Sequence, residues 1–197
     1  NDGLKALKGW FNSLRVADFD NDGDLDIIAG NWGLNSRLTA SADQPLQLYI
    51  QDFDSNGTHD PIVTYYYQGE ETTIATKDEL VKQLPQLNKK YLSYNAFAKA
   101  KFKEILPQDK LREAQVKSVT QLASMYFEND GDNTFTAHEL PLLSQISSVH
   151  DILVDDINDD GYKDVLLVGN DYEISTQLGR LDGSQGVLLI NDKKGFF

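Results

Sequence analysis

The sequence contains no cysteine, which excludes both a disulfide framework and a thiolate metal site. It holds only three histidines, His59, His138 and His150, scattered along the chain, so a zinc centre has no ligand set to draw on. No stretch of 18 apolar residues occurs, so no membrane-spanning helix is expected. Clustered Lys and Arg are also scarce overall, 18 against 31 Asp and Glu, which disfavours a nucleic-acid partner because phosphate binding needs concentrated positive charge. No signal peptide precedes Asn1, and the abrupt opening on Asn-Asp-Gly and the close on Gly195-Phe196-Phe197 read as a piece excised or processed from something longer.

What is present argues for a folded domain. In 197 residues the apolar fraction is 40%, with nine Phe, nine Tyr and two Trp, enough for a hydrophobic core despite a formal charge of -13. The charge is uneven. Lys77 to Val119 carries ten Lys/Arg against five Asp/Glu, whereas the rest of the chain is strongly acidic. Much of that acid lies in three short runs, Asp18 to Asp26, Asp52 to Asp60 and Asp155 to Asp164, where like charges repel unless a cation joins them.

Each run sits between two β-prone segments. Ser13 to Ala17 and Leu25 to Gly30 flank the first, Leu46 to Gln51 and Pro61 to Tyr67 the second, Asp151 to Val154 and Asp164 to Gly169 the third. Further hairpins are expected from Gln121 to Glu139 and from Gly186 to Phe197, so the chain reads as repeated antiparallel hairpins. The middle differs. Thr76 with Glu79 forms a capping-box signature, and Leu80, Leu84 and Leu87 recur at helical spacing, predicting a helix from Lys77 to near Pro85. Two more helices are expected over Ser93 to Glu104 and Lys110 to Lys117. The domain reading is one β domain over residues 1–197 with a helical insertion at 77–117, whose lysines form a solvated face.

Aligned on their glycines, the three acidic runs share one spacing. Asp18, Asp20, Asp22 and Asp26 in the first, Asp52, Asp54, Asn56 and Asp60 in the second, and Asp156, Asn158, Asp160 and Asp164 in the third place side-chain oxygens at loop positions 1, 3, 5 and 9. Position 6 is Gly23, Gly57 or Gly161, where a sharp turn with positive φ is cheap only without a Cβ. Position 7 is Asp24, Thr58 or Tyr162, three unlike residues at a place where the carbonyl rather than the side chain faces inward. Calcium takes six to eight hard oxygens in a flexible shell, which suits this set; magnesium prefers one or two carboxylates and several waters. An EF-hand begins in the same way but needs a bidentate Glu at position 12 and flanking helices, and position 12 here is Ala29, Val63 or Leu167 within β-prone segments. The plain alternative is three metal-free acidic turns, since Asp, Asn and Gly favour such turns on their own. Repetition of one register three times favours calcium, up to three ions.

The order of β segment, Asp-x-Asp/Asn-x-Asp/Asn-Gly-x-x-Asp, and second β segment resembles the FG-GAP/VCBS repeats, the calcium-loop blades of integrin α-type propellers and of many secreted bacterial proteins. Gly131-Asp132-Asn133-Thr134-Phe135 and Lys194-Gly195-Phe196 are similar to the Gly-x-x-Phe ends of outer hairpins in such blades. The resemblance covers roughly residues 10–70 and 120–197. It implies a mainly β fold, a partial propeller-like array of about three antiparallel blades, with calcium held by Asp18, Asp20, Asp22, the Asp24 carbonyl and Asp26; by Asp52, Asp54, Asn56, the Thr58 carbonyl and Asp60; and by Asp156, Asn158, Asp160, the Tyr162 carbonyl and Asp164. It further implies a periplasmic, cell-surface or secreted setting. The loops begin 34 and then 104 residues apart, and the length suits only about three blades, so open blade edges would be covered by the helical insertion or would self-associate.

Two loops that follow β segments are expected to offer a ligand groove: Asn31, Trp32, Asn35 and Arg37 in one, Asn170, Tyr172, Arg180 and Asp182 in the other. Aromatic, amide and guanidinium groups together suit a protein or glycan ligand, while a packed Trp32 and paired arginines are the structural alternative. No catalytic residue is expected. The three histidines have no Ser or Cys partner at a suggestive spacing, and no phosphate loop occurs. The other readings are a polysaccharide-active fragment using acids such as Glu70, Glu71 or Asp182, and a structural spacer.

Overall fold

The computed structural model describes residues 2–5, 7–131, 134–175 and 177–197. It is mainly β, with eleven strands among the described residues in three antiparallel sheets. The chain divides into two compact units, residues 1–38 with 121–197, and residues 39–120.

The first unit starts with a short helix, α1 (Asp2–Lys5), and a hairpin of β1 (Ser13–Ala17) and β2 (Asp26–Gly30). Their register pairs Ala17 with Asp26, so the first acidic run is the hairpin loop.

The second unit opens on β3 (Leu46–Gln51) and β4 (Asp60–Tyr67), which pair Gln51 with Asp60 around the second acidic run. A tight turn at Gln68 and Gly69, both at positive φ, leads into β5 (Glu70–Thr73) on β4. Five short helices follow: α2 (Lys77–Gln83), α3 (Leu87–Lys90), α4 (Tyr94–Lys99), α5 (Phe102–Ile105) and α6 (Gln108–Glu113). The α2 cap is the expected one, with the Thr76 amide donating to Glu79 Oε2 at 2.8 Å and the Glu79 amide to Thr76 Oγ1. The helix expected over Ser93 to Glu104 is divided, because Ala100 and Lys101 are extended, and α5 then buries Phe102 and Ile105. The third helix ends earlier than expected. Gln115 to Val119 is strand β6 on the free side of β3, where backbone pairing with Leu46 to Ile50 prevails over helical propensity. Phe53, Ile62, Leu80, Leu84, Leu87, Phe102 and Ile105 make the core between sheet and helices.

The chain then re-enters the first unit. β7 (Met125–Asn129) pairs with β2, and β8 (Phe135–Glu139) with β7, completing a sheet of order β1-β2-β7-β8. Its strands run as a meander, with all of residues 39–120 falling in the β2 to β7 connection. After a 3-10 turn at Leu142–Gln145 come β9 (Asp151–Asp155), β10 (Asp164–Val168) and β11 (Val187–Leu189), in the order β9-β10-β11, with Asp155 opposite Asp164 across the third acidic run. Phe19, Ile28, Tyr126, Val149, Ile152, Val165 and Leu167 form the core of this unit.

The expected array of about three propeller-like blades is corrected in its strand order. Among the described residues the three sheets are open, as a partial array requires, but they are not all meanders. In the second unit β6 returns beside β3 to give the order β5-β4-β3-β6, instead of following β5 as a meander would. The Gly131 to Phe135 hairpin tip includes Asp132 and Asn133, which lie outside the described residues.

Candidate metal loops

The three acidic runs have one backbone design. Position 4 is left-handed in each, with φ of 62° at Asn21, 62° at Ser55 and 58° at Asp159, and the glycine at position 6 has φ of 99°, 89° and 90°. A Cβ on any of these three glycines would meet nothing within 4 Å, so glycine is required by backbone conformation and not by crowding.

The side chains repeat as faithfully. The position 1 carboxylate accepts the position 6 amide, from Gly23 to Asp18 at 3.0 Å, from Gly57 to Asp52 at 2.9 Å and from Gly161 to Asp156 at 2.8 Å. Position 3 accepts the position 5 amide in every loop: Asp22 to Asp20, Asn56 to Asp54, Asp160 to Asn158, each at 3.1 Å. Position 5 accepts the position 7 amide, Asp24 to Asp22, Thr58 to Asn56 and Tyr162 to Asp160, at 2.7 to 3.0 Å. These Asx turns orient positions 1, 3 and 5 inward, and each oxygen keeps a further lone pair for another partner.

Position 9 has a separate task. Asp26, Asp60 and Asp164 are buried, and each accepts the amide of position 2, from Phe19, Phe53 and Ile157, at 3.0 Å. In the first unit the other oxygen reaches the end of the third strand of its sheet. Asn129 donates to Asp26 at 2.8 Å, and Asn191 to Asp164 at 2.9 Å. Sequence spacing placed position 9 among the ligands and missed this clasp.

Carboxylate oxygens of Asp18, Asp20 and Asp22 lie within 4.8 Å of one another, as do those of Asp52, Asp54 and Asp60. Asp18 Oδ1 is buried and has no hydrogen-bond partner, an orphaned anionic oxygen of the kind a cation satisfies. In these respects the carboxylates of the first two loops fit a hard divalent cation, and the third loop repeats their hydrogen-bonding pattern.

Protonation separates the loops. Burial, together with the charges of Asp22, Asp26 and Asp18, raises the Asp20 carboxyl above its usual range, against the lowering effect of the Asp22 amide. Asp52 is lowered, chiefly by the Gly57 amide with help from Asn56 and Lys110, and Asp160 is lowered by the Tyr162 amide and then by Asn158 and Lys193. For Asp20 the sign is that ionisation costs the metal-free fold stability as pH rises from about 3.8 through the raised value; Asp52 and Asp160 stabilise above 3.8 and lose that contribution as pH falls through their lowered values. Acidification is therefore expected to weaken calcium uptake at the first loop at a higher pH than at the other two. Calorimetric titrations between pH 6 and 4 on chains with a single intact loop measure this, and the reverse order would contradict it.

The residues expected to form a ligand groove fall into two groups. Asn31 is fully buried; its amide donates to Gln121 and Ala123 carbonyls at 3.0 Å, and its own oxygen accepts the Trp32 amide. Trp32 donates its indole N–H to Ser36 Oγ and stands edge-on to Trp10, with centroids 5.4 Å apart. Asn35 donates to the Ile146 carbonyl, and Asn170 holds Ser184 through both amide groups and accepts the Ser147 hydroxyl. Asn31 and Asn170 thus pin the chain ahead of the third strand in their respective sheets. Arg37, Tyr172, Arg180 and Asp182 are exposed. A buried polar segment that the sequence reading passed over, Ser144 to Ser148, lies between these loops, where Gln145 bonds the Ser124 backbone in both directions and also the Leu140 carbonyl.

Of the acids weighed as catalytic, Glu71 accepts the hydroxyls of Tyr49 and Thr64, and Glu70 pairs with Lys101 at 3.3 Å. A groove of about 490 Å³ opens beside the second loop, lined by Asp54, Ser55, Pro85, Pro107 and Lys110 among others. No described helix is long and apolar enough to cross a membrane. No family model matches the chain, and neither a curated protein nor a solved structure matches it.

Proposed function

We propose that this chain is a calcium-binding module of the FG-GAP/VCBS repeat type, with one ion in each of the three loops. The observation that carries the reading is the threefold recurrence of one loop, identical in backbone twist and in the amides that orient positions 1, 3 and 5. The orphaned Asp18 oxygen adds to it. Within this reading calcium neutralises each cage, taking the formal charge from -13 to -7. Asp18, Asp20, Asp22 and the Asp24 carbonyl would hold the first ion, with matching atoms in the other loops, while the position 9 carboxylates split their lone pairs between ion and backbone.

The proposed setting is extracytoplasmic, where free calcium is plentiful, and the proposed role is binding a protein or glycan through the inter-strand loops rather than catalysis. Lys110, which lines the groove at the second loop together with Asp54, supports an anionic or hydroxyl-rich partner once a cation neutralises the loop acids.

The test is stoichiometry. Elemental analysis after exhaustive dialysis against calcium should give three ions per chain, and two after Asp52→Asn with Asp54→Asn. Retention of no calcium by the unaltered chain would sink the proposal. Glycan-array binding would then separate a recognition role from a spacer, and release of product from a polysaccharide panel would redirect the reading toward an enzyme.

A further inference from the structure

The first and third acidic loops are joined by direct contacts inside one compact unit. The Asn21 side-chain amide, at position 4 of the first loop, donates to the carbonyl of Gly161, position 6 of the third, at 3.2 Å. Asn191, which is buried, donates its own side-chain amide to the Phe19 carbonyl of the first loop at 2.8 Å and to the Lys163 carbonyl of the third at 3.0 Å. Its backbone amide is held by Asp164. The turn that follows touches both loops again. Lys193 Nζ lies 3.4 Å from Asp160 Oδ2, and Gly195, at φ of 83°, approaches the first loop so closely that a Cβ there would stand 3.0 Å from the Asp20 Cβ. The Gly-Phe end is thus a clasp across two cages.

We propose that the first and third loops bind their cations as a cooperative pair, coupled through the Asn21 amide and the Asn191 to Phe197 turn. The inference rests on the calcium reading and deepens it. An ion in the third loop fixes the Gly161 and Lys163 carbonyls and the Asp164 carboxylate; these are the groups that hold Asn21 and Asn191, and through them the Asn21 and Phe19 backbone. The first loop then loses less freedom when its own ion arrives, so its affinity rises, and linkage requires the same factor in the other direction. Repulsion between the two dications opposes the effect. It is screened over about 8 Å at physiological ionic strength, whereas the hydrogen bonds of Asn21 and Asn191 are not, so added salt should strengthen the part of the pairing they carry.

Tyr162 provides the readout, since it stands at position 7 of the third loop with its amide on Asp160, and its ring can sensitise terbium bound there. Terbium luminescence with calcium competition, on the whole chain, gives the calcium affinity of the third loop, and Tyr162→Phe confirms the origin of the signal. Neutralising the first loop with Asp18→Asn and Asp22→Asn should weaken the third about fivefold, the low end of typical coupling. Asn21→Gly keeps the left-handed turn and every ligand, and should reproduce part of that loss. Asp52→Asn with Asp54→Asn, in the second loop, should change it less than twofold.

An affinity at the third loop that stays within a factor of two when the first is neutralised overturns the coupling while leaving the calcium reading intact. Equal losses from the first-loop and second-loop changes overturn it as well, since a general loss of charge would then suffice. Absence of terbium signal and of calorimetric uptake in the unaltered chain removes both.

Discussion

Chelation with EDTA should lower the melting temperature on the order of 10 °C or more relative to millimolar calcium. A ligand that binds only the folded state stabilises it by about 2.7 kcal/mol at a hundredfold excess over its dissociation constant, and three loops of the same design offer three such contributions. One kcal/mol moves the midpoint of a domain of this size by about 2–4 °C. The unliganded loops also start from an unfavourable position. Asp20 is raised by burial and by its own neighbours, so the carboxylates of the first loop are crowded at neutral pH, and a cation relieves what the loop amides do not.

The measurement is differential scanning calorimetry of the unaltered chain in EDTA, calcium and magnesium. Calcium should raise the midpoint and magnesium should raise it far less, because a tight octahedron cannot use so many protein oxygens at once. Superimposable traces in EDTA and in calcium would show that the Asx turns alone hold these loops and that no cation contributes.

The loops were legible in the sequence because each is a local device. Positions 1, 3, 5 and 6 act within a few residues, and their hydrogen bonds run from one position to the next. The strands beside them were legible for the same reason, since a hairpin is set by its own loop and by the β-prone residues of its arms. What could not be read was whatever depends on distant pairing. Gln115 to Lys117 looks helical beside Lys110 to Glu113, and only the edge of β3, about 70 residues earlier, makes it part of a strand. Asn31 and Asn170 present the groups of a ligand groove, yet the structure uses both to satisfy backbone carbonyls, and only knowledge of which chain lies alongside distinguishes the two uses. Asn191 is the sharpest case. A lone Asn before Asp192 looks like a turn residue, and its partners at Phe19, Lys163 and Asp164 are up to 172 residues away.

The same distinction between local and distant partners predicts that the position 9 aspartates will behave unlike the other acids of their loops. Asp26→Ala and Asp164→Ala should each destabilise the chain by about 3–5 kcal/mol even in EDTA, because each removes the acceptor of two backbone amides in a buried setting, and an unsatisfied buried donor costs roughly 1–3 kcal/mol. For Asp26 those donors are Phe19 and Asn129, and for Asp164 they are Ile157 and Asn191. Asp60→Ala should cost about half as much, since the amide it accepts is that of Phe53. Asp22→Ala, at an exposed position 5, should leave stability in EDTA nearly unchanged and act only when calcium is present. Asn is a poor rescue at position 26, because its amide nitrogen would face one of the two N–H donors. Urea denaturation of the four variants with and without calcium separates the two roles. If Asp26→Ala and Asp22→Ala unfold at the same urea concentration in EDTA, position 9 is a ligand and nothing more, and the clasp between loop and third strand carries no weight in the fold.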